Sequence, residues 1–439
     1  MAEDGTAAPE RARPASGALP GQHGLSYTPP AASAGSGEPV RRRRVFYVPG
    51  YDHKSRRRYH ALFGRELGRY VRRFDVERTG AGPAVLGAGG LVQGWDVDLS
   101  GPGWRAQTRY EVLLWDDLVR TDLGRSIGLR ILLLFVGVFE AVATGTLFRF
   151  YRLSPIFGTV VLYPFATVLL LALAAAGLGA AVWAGAGAAG APEGVALALG
   201  IGTGLVVPFV TLARLDGFFV RHLVHDWVFN WQLGRGARRD YAARTVRFTR
   251  HVVEATRGSD VDEVLIVGHS SGALMAVEIA AGLLEADGQI GSGRTAVSVL
   301  TLGSSLPLVA LNPSARAARA AIAALVRSDR ATWLDVFAPQ DWLNFPGFNP
   351  VRDLDLQVPP AEARNPFVRS AKLKETMTPD SYRALSFRPY RTHFQFLMAN
   401  GLSSDYDFFA ATAGPQRLRD RIARPYLVPL REEAPFGRR

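Results

Sequence analysis

The sequence predicts an α/β protein whose mostly parallel sheet is covered by helices and interrupted by an inserted transmembrane helical hairpin. Three observations predict this fold. Short apolar runs alternate with helical segments, which is typical of parallel strands buried on both faces. Between Leu153 and Ala213 the only charged residue is Glu193, which leaves stretches long enough for membrane helices. The apolar run Val264–Val267 leads through Gly-x-Ser-x-Gly into an apolar helix.

The chain divides into four predicted parts. Residues 1–40 are mainly Ala, Gly, Pro and Ser with scattered charges, the composition of a disordered tail. The tail contains no apolar run that would predict a signal peptide. Residues 41–125 and 236–439 are expected to form one α/β domain, and residues 126–235 are expected to be its membrane insertion.

Within the α/β domain, apolar runs bounded by turn residues predict strands, and amphipathic periodicity predicts helices. The predicted strands are Val45–Val48, Val264–Val267, Val297–Gly303 and Thr332–Ala338. The predicted helices are Tyr241–Arg257, Ala273–Ala280 and Ser314–Val326.

Two membrane spans are predicted, at about residues 155–184 and 195–213, joined by a turn at 185–194. A soluble core could hold one such helix, but two in succession favour a bilayer. The strands at Val45 and Val264 belong to one predicted sheet and therefore lie on one side of the membrane. An even number of crossings must separate them, and two spans satisfy this requirement.

A third apolar stretch, Ile131–Phe148, carries Glu140 at its centre. An acid at the middle of a membrane costs roughly 2.5–3.5 kcal/mol on insertion scales. We therefore expect this stretch to lie along the interface or to cover the site as a lid. The aromatic and charged stretch Gly217–Trp231 is predicted to be its interfacial counterpart. Four spans are the alternative.

The orientation of the hairpin follows from the charges beside it. Arg149, Arg152, Arg214 and Arg221 flank the hairpin, whereas its turn carries only Glu193. The positive-inside rule therefore places the α/β domain on the cytoplasmic side of the cell membrane. The lipid bilayer is the expected partner.

The net charge of the chain is +12, and nearly all of its cations are arginine. The clusters Arg41–Arg44 and Arg56–Arg58 first suggest nucleic-acid binding, but no nucleic-acid motif accompanies them. Basic residues near an anionic leaflet gain about 1 kcal/mol each, so membrane proximity explains the clusters more economically. A solvated helix face explains the second cluster almost as well. We expect no nucleic acid as a partner.

The chain has no cysteine, which excludes disulfides and thiolate metal sites. No other group of residues resembles a metal site, and no cofactor is expected. The oligomeric state is not determined by the sequence.

The segment Gly268-His269-Ser270-Ser271-Gly272 has the layout of a sharp strand-to-helix turn that lifts a serine hydroxyl above the edge of a sheet. Gly268 and Gly272 fit this turn because it brings backbone segments too close for a Cβ atom. The helix start behind Ser270 offers N–H groups to a developing oxyanion. Ser270 is the candidate nucleophile, and an ordinary turn in a glycine-rich chain is the alternative.

A serine on such a turn needs an acid and then a histidine later in the chain. His393 is the only histidine after Ser270 and is the candidate base, with an ordinary surface histidine as the alternative. Asp341 directly follows the predicted strand Thr332–Ala338 and is the candidate acid, with a plain turn residue as the alternative. The other aspartates considered are Asp335, which falls inside that strand, and the fallbacks Asp353 and Asp355.

An oxyanion hole needs a second donor, which is expected from a loop after an early strand. Pro49-Gly50-Tyr51 follows the predicted strand Val45–Val48, and Gly50 permits a tight turn. The backbone N–H groups of Tyr51 and Ser271 are therefore the candidate oxyanion donors. Pro-Gly after a strand is also a common plain turn.

These pieces occur in the order found in α/β-hydrolases, and the chain resembles that superfamily. More narrowly, it is similar to poorly characterised bacterial membrane-associated α/β-hydrolase-like proteins. The resemblance covers roughly residues 45–125 and 225–430. It rests on Tyr47–Asp52, Leu114–Asp117, Gly268–Gly272, Pro339–Phe345 and Thr392–Phe394. One departure is the Pro-Gly of the oxyanion loop, where many lipases have His-Gly.

The resemblance implies an α/β-hydrolase-type sheet and the transfer of an acyl group to water. Ser270 would attack an ester or related carbonyl, His393 would move the proton, and Asp341 would orient the imidazole. The predicted location at a bilayer favours an amphiphilic ester such as a lipid as the substrate. The alternative is a membrane-anchored scaffold or binding protein on a catalytically lapsed hydrolase fold.

Overall fold

The computed structural model describes residues 37–87, 89–214, 220–385 and 388–431. Most of the predicted tail, residues 1–36, lies outside these ranges. Val40, at the end of that prediction, is buried, and its N–H donates to the Pro415 carbonyl over 2.6 Å. The packed domain therefore includes Val40, whose partner is distant in sequence and could not be read from composition.

In the described residues, nine strands form one sheet. They are β1 Arg42–Val48, β2 Glu77–Ala81, β3 Val85–Leu86, β4 Val92–Gly101, β5 Trp104–Leu113, β6 Glu263–His269, β7 Ala296–Leu302, β8 Ala331–Phe337 and β9 Phe367–Ser370. Their order across the sheet is β2-β4-β5-β1-β6-β7-β8-β9, and β3 pairs with β4. All pairs from β5 to β9 in this order are parallel, whereas β4 is antiparallel to its three neighbours. The predicted α/β class with a mostly parallel sheet is confirmed.

Helices lie between and after these strands. They are α1 Ser55–Arg73, α2 Asp116–Leu123, α3 Ile127–Ala143, α4 Thr146–Leu153, α5 Pro155–Ala188, α6 Glu193–Arg214, α7 Val220–Gly234, α8 Arg239–Thr256, α9 Gly272–Ala286, α10 Leu306–Ala310, α11 Arg316–Arg327, α12 Pro350–Asp353, α13 Leu373–Thr376, α14 Pro379–Arg383, α15 Pro389–Phe394, α16 Phe408–Ala413 and α17 Leu418–Ala423.

The central strands carry apolar runs because helices cover both faces of the sheet. In β1, Val45 and Tyr47 belong to a core shared with α1, α16 and α17. Phe46 and Val48 belong to the opposite core, shared with α8, α9 and α11. The continuous apolar runs of the sequence therefore reflect burial on both faces.

The antiparallel pair β4–β5 is not predicted in the sequence analysis. In β4, Trp95, Val97 and Leu99 are buried while Asp96 between them is exposed. This alternation has period two, the signal of a strand with one buried face. The prediction missed the pair because it relied on continuous apolar runs.

The predicted membrane hairpin corresponds to α5 and α6. By length and composition, one helix in the described ranges could cross a membrane, Pro155–Ala188, while the apolar stretch Glu193–Pro208 is shorter. The two helices pack closely, since a Cβ at Gly179 would lie 2.7 Å from the carbonyl oxygen of Gly200. The connecting turn is only residues 189–192, because the Gly/Ala segment predicted as a loop continues α5 to Ala188.

The third apolar stretch is two helices, α3 and α4, separated at Gly145 with φ +72°. Glu140 of α3 forms an ion pair with Arg235 (3.2 Å). One side of α3 packs on α7, while its other side exposes large apolar residues. The most exposed of these are Leu132 and Phe139.

The stretch predicted as an interfacial counterpart forms α7, and residues 217–219 of it lie outside the described ranges. Val224, Trp227 and Phe229 of α7 are buried. A Cβ at Gly137 of α3 would lie 2.3 Å from the Trp227 ring, so the two helices are in close contact. α7 is therefore a core helix, because its aromatic residues pack inside the protein and not on its surface.

Arg42–Arg44 of the first arginine cluster lie in β1, at the end of the sheet opposite Ser270. Arg43 is buried and pairs with the buried Glu263 over 2.6 Å. Arg44 pairs with Glu111 over 3.1 Å. Arg43 and Arg44 hold sheet residues together, so membrane proximity does not explain these two arginines.

Candidate active site

Ser270 lies in the turn between β6 and α9 and has a backbone φ of +58°. This left-handed conformation is uncommon for a residue other than glycine and stores strain. The Ser270 N–H donates to the Leu302 carbonyl of β7 (2.9 Å), and the Ser270 carbonyl accepts from the Ala273 N–H (3.0 Å). A neighbouring strand and the first turn of α9 thus hold the serine at the carboxyl edge of the sheet.

Three glycines around Ser270 lie where a Cβ atom would meet its neighbours. A Cβ at Gly268 would lie 2.6 Å from the backbone of α9. A Cβ at Gly272 would lie 2.4 Å from two carbonyl oxygens at the end of β1. A Cβ at Gly50 would lie 3.0 Å from the Ser270 Cβ. These close approaches bring the turn at Ser270 against the loop that follows β1.

His393 lies in α15, and its imidazole is hydrogen-bonded to the Asp341 carboxylate. His393 Nδ1 lies 2.7 Å from Asp341 Oδ2, and both side chains are buried. This bond places the ring proton on Nδ1 and leaves Nε2 able to accept another proton. Nε2 makes no hydrogen bond to Ser270 or to any other residue that the structure describes. His393 and Ser270 line the same cavity.

Asp341 is held in the turn after β8. Its Oδ1 accepts from the Leu343 N–H over 3.0 Å. The Asn344 side chain donates to the carbonyls of Asp341 (2.9 Å) and Ala338 (3.0 Å), which closes the turn. Of the other aspartates considered, Asp335 accepts from the Thr301 hydroxyl inside the sheet, Asp353 pairs with Arg352, and Asp355 follows α12.

The residues of both candidate oxyanion donors, Tyr51 and Ser271, line the cavity. The Trp115 indole donates to the Pro49 carbonyl over 2.9 Å, which fixes the loop after β1. The Tyr51 hydroxyl donates to Asp122 over 3.3 Å. Ser271 directly precedes α9, so its N–H belongs to the start of a helix.

His269 is a site residue that the sequence analysis did not single out. Its Nε2 donates to the His393 carbonyl over 3.0 Å, and the two rings lie 4.7 Å apart. Burial, with a smaller effect of His393, lowers the pKa of His269 to about 3, so this imidazole is neutral at physiological pH. His269 thus positions the backbone of His393. Its place beside Ser270 in the motif was the only sequence signal.

Asp226 of α7 is the second residue that the sequence analysis missed. It lines the cavity, and its carboxylate accepts from the Ser271 hydroxyl over 3.0 Å. Burial raises the pKa of Asp226 to about 6, although the hydrogen bond from Ser271 lowers it. No local pattern marks this aspartate, because only the packing of α7 brings it to Ser271.

The cavity has a volume of about 520 Å³, a size common for small-molecule sites. Its polar lining includes Ser270, Ser271, Asp226 and His393. Much of its apolar lining comes from the inserted helices α5 and α7, and comprises Phe157, Val160, Val161, Pro164, Leu223 and Trp227. The cavity therefore joins the candidate catalytic residues to the inserted segment.

This arrangement can support nucleophilic acyl transfer. It combines a strained serine, an imidazole oriented by a buried carboxylate, and backbone N–H groups at a helix start. Comparison with protein-family models, with curated proteins and with solved structures finds no significant match to this chain.

Proposed function

We propose that this chain is a membrane-anchored serine hydrolase with an α/β-hydrolase fold that cleaves an ester or related acyl bond. One observation carries the proposal: Ser270, on a strained strand-to-helix turn, shares a cavity with His393, which is bonded to Asp341. The strands that these three residues follow also support the proposal. Ser270 follows the central strand β6, Asp341 follows β8, and His393 follows β9. That is the chain order of the triad in α/β-hydrolases.

The mechanism begins with attack of the Ser270 hydroxyl oxygen on the substrate carbonyl. We expect the Ser270 side chain to rotate toward His393 Nε2 when substrate binds, since catalytic hydrogen bonds are often long in empty sites. Nε2 accepts the hydroxyl proton, and Asp341 stabilises the imidazolium that forms. The N–H groups of Ser271 and Tyr51 stabilise the tetrahedral oxyanion.

Collapse of this intermediate breaks the bond to the leaving group, which takes the proton from His393. The acyl group is then bound to Ser270 as an ester. A water molecule gives one proton to His393 and attacks the acyl carbon. The second collapse releases the carboxylic acid and returns the proton to Ser270.

The proposed anchor is the hairpin of α5 and α6. In the most apolar 18-residue stretch of α5, only 17% is buried inside the protein. The core helix of a soluble protein would be mostly buried. The close approach of Gly179 and Gly200 is of the kind that membrane helices use to pack. Arg149, Arg152, Arg214 and Arg221 flank the hairpin, so we infer that the α/β domain lies in the cytoplasm.

Covalent labelling by a fluorophosphonate probe tests the proposed nucleophile. Purified full-length protein in detergent micelles should be labelled, because the probe reacts with an activated serine. Ser270→Ala should abolish labelling and lower ester turnover by about 10³–10⁶-fold. Ser292→Ala, which changes an exposed serine in a turn, is the matched control and should be labelled like the wild type.

A second variant tests the role of Asp341. Asp341→Asn should slow labelling and turnover together, because the imidazole then loses its preferred tautomer. Folded wild-type protein that is not labelled would contradict the proposal and favour the lapsed scaffold. Full turnover by Ser270→Ala would show that another group is the nucleophile.

A further inference from the structure

The cavity at Ser270 extends along α5, and this extension has no part in the chemistry proposed above. Phe157, Val160, Val161 and Pro164 of α5 form one side of it. Leu223 and Trp227 of α7 add to the same wall, which we call the α5–α7 wall. All six side chains are apolar, so this wall suits a hydrocarbon group.

The start of α5 is part of the α/β domain. The Phe157 ring lies 3.7 Å from the Phe345 ring, and Phe345 belongs to the same loop that presents Asp341. Phe157 and Val161 are buried. The α5–α7 wall is therefore held in a fixed position relative to the candidate triad.

Further along, α5 leaves the domain and becomes exposed. Leu170 is 65% exposed and Leu173 is 60% exposed. α5 has 34 residues, which correspond to about 50 Å at 1.5 Å per residue. A bilayer core of about 30 Å requires only about 20 residues. Roughly the first third of α5 can thus wall the cavity while the remainder crosses the proposed bilayer.

We infer that the α5–α7 wall binds the acyl chain of a long-chain ester, and that the substrate enters from the bilayer along α5. This inference rests on the proposed function for the cleavage step. The scissile carbonyl lies at Ser270 and the acyl chain extends between α5 and α7. Each methylene that the wall removes from water strengthens binding by roughly fourfold. The substrate class is therefore an amphiphilic ester of a long-chain fatty acid.

Val160→Trp tests this inference. Val160 lines the cavity, so a larger side chain there narrows it. Because Val160 is only half-buried, the protein can accommodate the larger side chain. In mixed micelles, the variant should lose about tenfold or more in kcat/KM for a C16 p-nitrophenyl ester. Its kcat/KM for the C4 ester should fall less, because a C4 acyl chain reaches less of the wall, so the C16-to-C4 ratio of kcat/KM should fall. Partition of each ester into the micelles is the same in assays of the wild type and of the variant, so it cancels when the two proteins are compared.

Ile156→Trp is the matched control. Ile156 lies one turn earlier on α5 and is 55% exposed, away from the cavity lining. Its C16-to-C4 ratio should equal that of the wild type. An unchanged ratio in Val160→Trp, with wild-type thermal stability, would overturn the inference. An equal loss of kcat/KM for both esters would also overturn the inference. The substitution would then disturb the catalytic residues and not the binding of a long acyl chain.

A binding measurement separates failure of this inference from failure of the proposed function. In the Ser270→Ala background, a dansyl-labelled fatty acid should bind to protein in amphipol, and Val160→Trp should weaken that binding about tenfold. Binding without fluorophosphonate labelling of the wild type would refute the hydrolase and retain the acyl-chain site. Labelling without binding, or with binding unchanged by Val160→Trp, would retain the hydrolase and refute the acyl-chain site.

Discussion

Glu278 of α9, the helix that follows Ser270, is a partly buried acid whose Oε2 atom is buried. Burial raises the pKa of Glu278 to about 7, although its interactions with the nearby Tyr241 and Thr245 side chains lower it. In an unfolded chain the pKa of glutamate is about 4.3. The folded protein therefore holds this proton more tightly than the unfolded chain does. The contribution of the protonated Glu278 to the stability of the folded state is complete below about pH 4. This contribution is lost as the pH rises through about 7.

Glu278→Gln should remove this pH dependence, because glutamine stays neutral. At pH 8 the variant should have a free energy of unfolding about 1–3 kcal/mol higher than that of the wild type. Near pH 4 the two should be equal. Thermal unfolding measured at both pH values checks this.

Glu285→Gln is the control for that series, since Glu285 is exposed on the same helix. Its stability should follow that of the wild type at each pH. If the wild type and Glu278→Gln differed by the same amount at both pH values, the pKa of Glu278 would not be the cause.

At the same scale, single residues of the candidate site differ in how far the sequence predicts them. Ser270 was found from its motif, His393 from its uniqueness, and Asp341 from its place after a strand. His269 and Asp226 were missed. Their contacts, with the His393 carbonyl and the Ser271 hydroxyl, depend on packing between segments that are distant in sequence.

At the scale of elements, the junction of β6 and α9 depends on close contact with the end of β1. Gly272→Ala should destabilise the protein, because the added Cβ would lie 2.4 Å from two backbone carbonyl oxygens. We expect a loss of about 3 kcal/mol, near the upper end for overpacking. Because the loop of Tyr51 must then move, fluorophosphonate labelling should also slow. Thermal unfolding and labelling rates measure the two effects.

Gly288→Ala is the matched substitution just after α9. A Cβ at Gly288 would meet no atom within 4 Å, so stability and labelling should be unchanged. Wild-type stability in Gly272→Ala would contradict the tight packing of the turn.

Elements with a continuous apolar run were predicted well, and those with other patterns were not. β1, β6, β7 and β8 start and end within a few residues of their predicted bounds. The half-buried pair β4–β5 was missed, and α7 was expected to lie at the membrane interface. The charges of α7 favoured an interface, but burial of its aromatic residues against other helices decided its place.

At the scale of the whole molecule, the proposed topology places the turn between α5 and α6 outside the cell. The natural absence of cysteine allows a direct test. Ala189→Cys, in that turn, should react with a membrane-impermeant maleimide in intact cells. Ser292→Cys, on the α/β domain, should react only after the cells are permeabilised.

The reverse labelling pattern would show that the orientation is wrong. Reaction of both cysteines only after permeabilisation would contradict the hairpin crossing itself. The unchanged protein, which has no thiol, is the blank for both measurements.

The sequence by itself determined the α/β class, the main apolar strands, the inserted apolar helices and the serine turn. These follow from periodicity, length and glycine placement, which are properties of neighbouring residues. Only the tertiary structure decided the sheet order, the place of α7, the bond between His393 and Asp341, and the extension of the cavity along α5. Those contacts join distant segments, and they depend on which surfaces are buried against each other in the folded chain.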